Sequence, residues 1–133
     1  MILDTSALVA IFLEEDGHDA LLTTIEEADV LGIGAPTLVE TGVVMATRVG
    51  PPGVTVVQRL IADAEVAVIP FRDAHRRVAV EAYLRFGRGR HPARLNLGDC
   101  YSYAIAQVAA RPLLCVGDDF VQTDLELVPL PPC

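Results

Sequence analysis

The chain reads as an α/β fold, a short parallel sheet of four to five strands with helices on both faces. Three observations lead there. Short apolar runs alternate with longer helical stretches in the order strand, helix pair, strand, helix pair, strand, helix pair, strand. Right-handed crossovers turn that order into a parallel sheet sandwiched between helices, a three-layer arrangement. Of 133 residues, 52% are apolar but only 5% aromatic, with no Trp. A core must then be packed from Val, Ile, Leu and Ala, as in a sheet buried on both faces. Lastly, Asp4, Glu40, Asp99 and the pair Asp118-Asp119 all stand where a strand-like run ends or a helix begins, and in such a fold those junctions converge on one edge of the sheet.

Met1-Ile2-Leu3 reads as the first strand, ending at Asp4. Thr5 to Glu15 reads as a buried helix, with almost no polar face in its first two turns and Gly17 to break it. His18 to Ala28 places Leu21, Leu22 and Ile25 on one helical face. Val30 to Ile33 is a second strand. Pro36 to Val49 is a helix with proline in its first turn and Gly50-Pro51-Pro52-Gly53 as its stop. Val54 to Ala64 continues as a helix, Glu65 to Pro70 as a strand and Arg72 to Phe86 as a long helix. Gly87 to Pro92 is a flexible basic loop. Asn96 to Ala110 is the next helix, ended by Arg111-Pro112; Leu113 to Val116 is a strand; Gly117-Asp118-Asp119 is a turn; Leu125 to Val128 is a last strand before a Pro-rich tail. No repeat or linker divides the chain, so residues 1–133 read as one domain.

The longest apolar run, Ala7 to Leu13, is too short to span a bilayer. No charged leader precedes the first strand, and a cytoplasmic protein without a membrane segment is expected. Cys100, Cys115 and Cys133 lack the paired spacing of a zinc site. The first two lie in apolar stretches and read as core thiols, and the third as a terminal, exposed one. His18, His75 and His91 sit on three separate elements with no i, i+4 pair, which makes them poor ligands. Tyr101 and Tyr103 read as packing residues.

The net charge of −8 argues against simple nonspecific binding to nucleic acid. Its distribution tells more. Lys is absent, and seven of the ten arginines fall between Arg72 and Arg94, a segment carrying +5 on a body carrying −13. Such a stretch, with Arg88 and Arg90 in its loop, can hold a phosphate backbone; a solvated helix face is the competing reading.

Each acid also has an ordinary structural explanation. Asp4 can cap the first helix. Thr37-x-x-Glu40 fits a capping box, although with Pro36 in the first turn Glu40 would instead point inward among Leu38, Val39, Val43 and Val44 and need a partner. Asn96 can cap its helix, leaving Asp99 as an acid favoured by the helix dipole. Gly98 beside it has low helix propensity and makes sense where something approaches the backbone closely. Asp118 or Asp119 can cap a turn into Phe120, which leaves one spare. Four carboxylates at one edge repel unless a hard cation lies among them. The pattern therefore points to Mg²⁺, with Mn²⁺ possible, and to phosphate chemistry.

Met-Ile-Leu-Asp4-Thr5-Ser6-Ala-Leu, Leu38-Val39-Glu40-Thr41, Leu95-Asn96-x-Gly98-Asp99-Cys100-x-Ser102-Tyr103-Ala104 and Gly117-Asp118-Asp119-Phe120-x-x-Thr123-Asp124 together resemble the PIN-domain ribonucleases, and among them the VapC-type toxins. The likeness runs from residue 1 to about residue 130 with motif order and spacing kept. It implies a PIN-like sheet flanked by helices, metal-dependent endonucleolytic cleavage of RNA, and a cognate antitoxin as partner, commonly with the toxin as a homodimer. The resemblance matches Asp4, Glu40 and Asp99 to the family's firm acidic positions, with Asp4 and Asp99 on the metal. Asp119 is matched to the variable fourth position with Asp118 as alternate, and Thr5 or Ser6 to a small polar support. Two other enzyme classes fail on local residues. A response-regulator receiver needs a Lys, and a haloacid-dehalogenase-like phosphatase needs Asp-x-Asp where Asp4 is followed by Thr5-Ser6. The non-enzyme alternative is a catalytically inactive PIN-like module that binds RNA or protein.

Overall fold

The computed structural model describes residues 1–130; Cys133 and the two prolines before it lie outside them. Four strands and six helices follow in the expected order: β1 (Ile2–Leu3), α1 (Thr5–Phe12), α2 (His18–Glu27), β2 (Gly32–Gly34), α3 (Ala35–Arg48), α4 (Pro51–Asp63), β3 (Ala67–Ile69), α5 (Asp73–Phe86), α6 (Leu97–Ala109) and β4 (Leu113–Leu114). All strand pairings are parallel, in the order β3-β2-β1-β4. Ile2 stands opposite Gly32 on one side and Leu113 on the other.

The strands bury both faces, as a parallel sheet requires. Successive side chains point to opposite faces. Ile2 and Leu113 join the core under α5 and α6, with Phe86, Tyr103, Ile105 and Phe120. Leu3 and Leu114 join the core under α1 and α2, with Leu8, Leu21 and Ile25. No helix among the described residues is long and apolar enough to cross a membrane.

Three departures from the sequence reading matter most, two with local reasons and one for want of a partner strand. α1 ends at Phe12, because Glu14 adopts a left-handed conformation (φ 51°) that no helix continues. Pro51 and Pro52 do not merely stop α3; they open α4, where a missing N–H costs nothing in the first turn. The expected strand Leu125 to Val128 makes only a bridge between Leu127 and Leu113, with two backbone bonds, Leu113 N–H to Glu126 O at 3.0 Å and Val128 N–H to Leu113 O at 2.9 Å. Its neighbour β4 is two residues long and offers no ladder to extend. The loop Gly87–Pro92 is pinned rather than open: Gly87 bridges Leu95, and the Arg90 and His91 amides donate to Gly87 O.

The topology fixes where a ligand can enter. The chain moves outward from β1 through β2 to β3, then returns to the other side of β1 at β4. Between β1 and β4 the winding direction switches, and the carboxyl ends of those strands open a crevice there. The N-termini of α1, α3 and α6 are aimed at that edge, where helix dipoles favour negative charge.

Candidate active site

Asp4 is the first residue beyond β1 and is 4% exposed. It does cap α1: its Oδ2 accepts the Ser6 amide at 3.0 Å and the Ser6 hydroxyl at 2.6 Å. The cap uses only part of the carboxylate. Oδ1 accepts the Ser102 hydroxyl of α6 at 2.6 Å. The Ser6 hydroxyl also accepts the Val116 amide at 3.0 Å, tying the exit of β4 to the start of α1.

Glu40 does not form the capping box. The N-cap of α3 is Gly34, with Pro36 at its second position, which moves Thr37 into the first turn and Glu40 into the second. Glu40 is half-buried, and its Oε1 accepts the Thr5 hydroxyl at 2.9 Å. Thr5 also lies 3.2 Å from Thr37 O and 3.0 Å from the Thr41 hydroxyl. The partner that an inward Glu40 needed is thus the residue after Asp4.

Asp99 sits in the first turn of α6, within the capping box formed with Asn96. The Asp99 amide donates to Asn96 Oδ1 at 2.8 Å and the Asn96 amide to Asp99 Oδ2 at 3.0 Å. Gly98 is small for the reason its position implied. A Cβ there would meet the Glu40 carboxylate, with Oε1 2.9 Å away. Glu40 and the start of α6 are therefore packed against each other.

Burial pushes the Asp99 carboxyl up to about 6 against a lowering hydrogen bond from Asn96, and the charges of Asp4, Asp119 and Glu40 push it further. No basic side chain contributes to that balance. The Cys115 thiol, after β4, is pushed up to about 12 by burial and then by Asp4, Asp119 and Asp99. Asp119 thus shares the crevice electrically with the other three acids, whereas Asp118 bears on neither group. Both are exposed. The turn that carries them is pinned by buried Phe120 and by Asp124, which accepts the Tyr103 hydroxyl at 2.6 Å and pairs with Arg85 at 3.3 Å.

A hard dication suits this donor set. The side chains at hand are carboxylates and hydroxyls, and the nearby thiol is held protonated. The acids approach as charges rather than as a finished shell: among the described residues no three of His, Cys, Asp and Glu stand ready to hold an ion.

The histidines serve elsewhere. His75 Nδ1 accepts the Arg72 amide at 2.9 Å at the start of α5. His91 Nδ1 accepts the Ala93 amide at 3.0 Å, and its ring packs edge-on against Phe86. The basic stretch contributes Arg88 and Arg90, both exposed, with Arg90 lying 5.7 Å over the Tyr83 ring. The side chains to which the sequence reading gave no part in the site are Thr37, named only for a helix cap, and Thr41 and Ser102, named only within motifs; all three are buried. Their one sequence signal is polarity on inward helical positions: Ser102 falls one turn beyond Asp99, and Thr37 and Thr41 flank Glu40.

The PIN domain family model matches residues 1–125. Ribonuclease VapC42 of Mycobacterium tuberculosis is 46% identical over 126 residues, covering 94% of this chain and 96% of its own. Among solved structures, Mycobacterium tuberculosis VapC20, a toxin that cleaves the sarcin-ricin loop, superposes with a TM-score of 0.78 at 18% identity, covering 96% of this chain and 97% of that one. A toxin–antitoxin complex from Klebsiella pneumoniae superposes with a TM-score of 0.67 at 18% identity, covering 92% of each chain. These likenesses show the PIN fold. The chain belongs to the PIN-domain family and, within it, to the VapC ribonucleases.

Proposed function

We propose that this chain, an endoribonuclease of the toxin class, hydrolyses RNA phosphodiester bonds at the crevice between β1 and β4 with the help of a divalent cation. The observation that carries the reading is the convergence of acids at the start of α6: the Glu40 carboxylate lies against Gly98, Ser102 holds Asp4, and Asp4, Asp119 and Glu40 all raise the Asp99 carboxyl. Carboxylates so placed lower their mutual repulsion by binding a cation.

Asp4 and Asp99 are the residues that would hold Mg²⁺ or Mn²⁺, with Glu40 and Asp119 completing the oxygen set. When bound, such an ion supplies a more acidic water and positive charge for the phosphate. Asp4 contributes a carboxylate already oriented by Ser6 and Ser102. Glu40, held by Thr5, would contribute a second carboxylate of fixed direction. Arg88 and Arg90 would hold the RNA backbone on the flank, beyond the acids.

The partners follow from family and surface. The fold shared with the Klebsiella complex supports a cognate antitoxin as partner. α3 leaves Val39 and Val43 66% and 60% exposed, and Val68 of the edge strand β3 continues the patch with no charged residue lining it. This uncharged apolar patch, on a chain that carries −8, is the face we propose for a homodimer. Residues 1–133 act as one domain in the cytoplasm, where Cys100 and Cys115 stay reduced.

Purified chain, freed of metal, should cut RNA only after Mg²⁺ or Mn²⁺ is restored and should stop with EDTA. RNA that is bound but never cut, with or without metal, would favour the binding-module reading.

A further inference from the structure

A buried carboxylate without a cationic neighbour must be held by neutral donors, and each donor's origin says what it is for. Two of the three bonds to Asp4 come from Ser6 and belong to the cap of its own helix. The third comes from Ser102, 98 residues away on α6, at 2.6 Å. A carboxylate only accepts, so the single Ser102 proton is committed to Asp4 Oδ1. The Ser102 oxygen is then free to accept from the Thr37 hydroxyl of α3, 3.2 Å away. Both residues are 1% exposed, so bulk water does not compete for either hydroxyl.

The direction Thr37 to Ser102 to Asp4 links three helices. α1 follows Asp4, α3 carries Glu40 and α6 carries Asp99. A second hydroxyl bridge, Thr5 to Glu40, joins α1 to α3. Packing alone would be served by Ala and Val at these apolar positions. Hydroxyls are useful there if the direction of Asp4 has to be fixed.

We infer that Ser102, backed by Thr37, is a positioning residue that aims the Asp4 carboxylate at the cation. This inference rests on the cation reading proposed above. The test is Mn²⁺ binding to the metal-free full-length chain, followed by electron paramagnetic resonance without RNA, alongside thermal melting. Ser102→Ala should weaken Mn²⁺ binding about 10- to 100-fold, as removal of a ligand's hydrogen-bond partner does elsewhere. Thr37→Val keeps the shape and removes the hydroxyl, and should weaken binding several-fold; Thr37→Ser keeps the hydroxyl and should bind like the parent. Thr47→Val serves as a control, since that hydroxyl bonds only Val43 O on the outside of α3. Should Ser102→Ala fail to fold, the Thr37 pair decides. Parental affinity in Thr37→Val, or loss in Thr37→Ser instead, would overturn the assignment. A parent chain that binds no Mn²⁺ would remove the cation reading itself, and this one with it.

Discussion

The acidic crevice and the arginine-rich stretch are the two charge-dense regions of this molecule, and they are built in opposite ways. The acids come from four separate elements and are gathered by folding. Asp4 is buried, Glu40 and Asp99 are half-buried, and each is held by hydroxyl or amide donors. The arginines come from one run of chain and stay outside. Arg76 and Arg77 pair with Asp73 at 2.7 and 3.1 Å, and Arg85 lies 4.6 Å over Phe86. Arg88 and Arg94 have no ion pair among the described residues. Burial gives the acids fixed directions and strong mutual repulsion, which an ion can relieve. Exposure leaves the arginines with a screened field that attracts phosphate without choosing among atoms.

The sharpest way to break the contrast is to neutralise one buried acid. Asp4→Asn or Asp99→Asn should reduce cleavage by more than about a hundredfold, beyond what residues that only position a ligand cost. The folded circular dichroism spectrum should be kept. Asp119→Asn should follow in the same direction and Asp118→Asn should cut at close to the parental rate, because only Asp119 bears on Asp99.

Gly98→Ala comes next. The added methyl displaces the Glu40 carboxylate while improving helix propensity at the start of α6 by up to about 1 kcal/mol. Cleavage should fall by about tenfold with no loss in melting temperature. Equal losses in both would show that the close approach serves stability rather than the site.

A milder effect is expected from the other region. Arg88→Ala combined with Arg90→Ala should weaken binding of all RNA sequences alike. It should also flatten the slope of log affinity against log salt by about 1.4, or about 0.7 for each single-strand phosphate that an arginine no longer neutralises. The cleavage rate at saturating RNA should be retained.

The smallest effect is on stability. With its carboxyl raised to about 6, the folded metal-free chain keeps the Asp99 proton that the unfolded chain has already released. Stability should therefore fall as pH rises from about 4 to about 6 and stay reduced above that. The group is partly exposed, so the loss is of order 1 kcal/mol after screening, which is a few degrees of melting temperature. Asp99→Asn should remove that fall, leaving only what the other acids contribute, and Mn²⁺ should raise the parental melting temperature at pH 7.5.

Most elements were legible because they depend on neighbours in sequence. Met1 to Leu3, the stretch from His18 and the stretch from Arg72 carry their periodicity and stop signals locally. Apart from the local surprises at Glu14 and Pro51-Pro52, the error fell where a distant partner decides. Leu125 to Val128 has the composition of a strand but lacks a strand long enough to pair with. Thr37-x-x-Glu40 has the letters of a capping box, but Pro36 in the first turn already pointed to an inward Glu40, and α3 does begin at Ala35 with Glu40 held by Thr5.

Residue type and spacing are enough to settle the alternation of strands and helices, the acids at their junctions and the separation of charge along the chain. They do not settle which hydroxyls hold which acids. Thr5 and Glu40 are 35 residues apart, and Ser102 and Asp4 are 98 apart. A hydrogen bond depends on separations of tenths of an ångström that only the closed packing of α1, α3 and α6 sets. Nor do residue type and spacing say which of the exposed neighbours Asp118 and Asp119 bears on the Asp99 carboxyl; in the fold it is the charge of Asp119 that raises it.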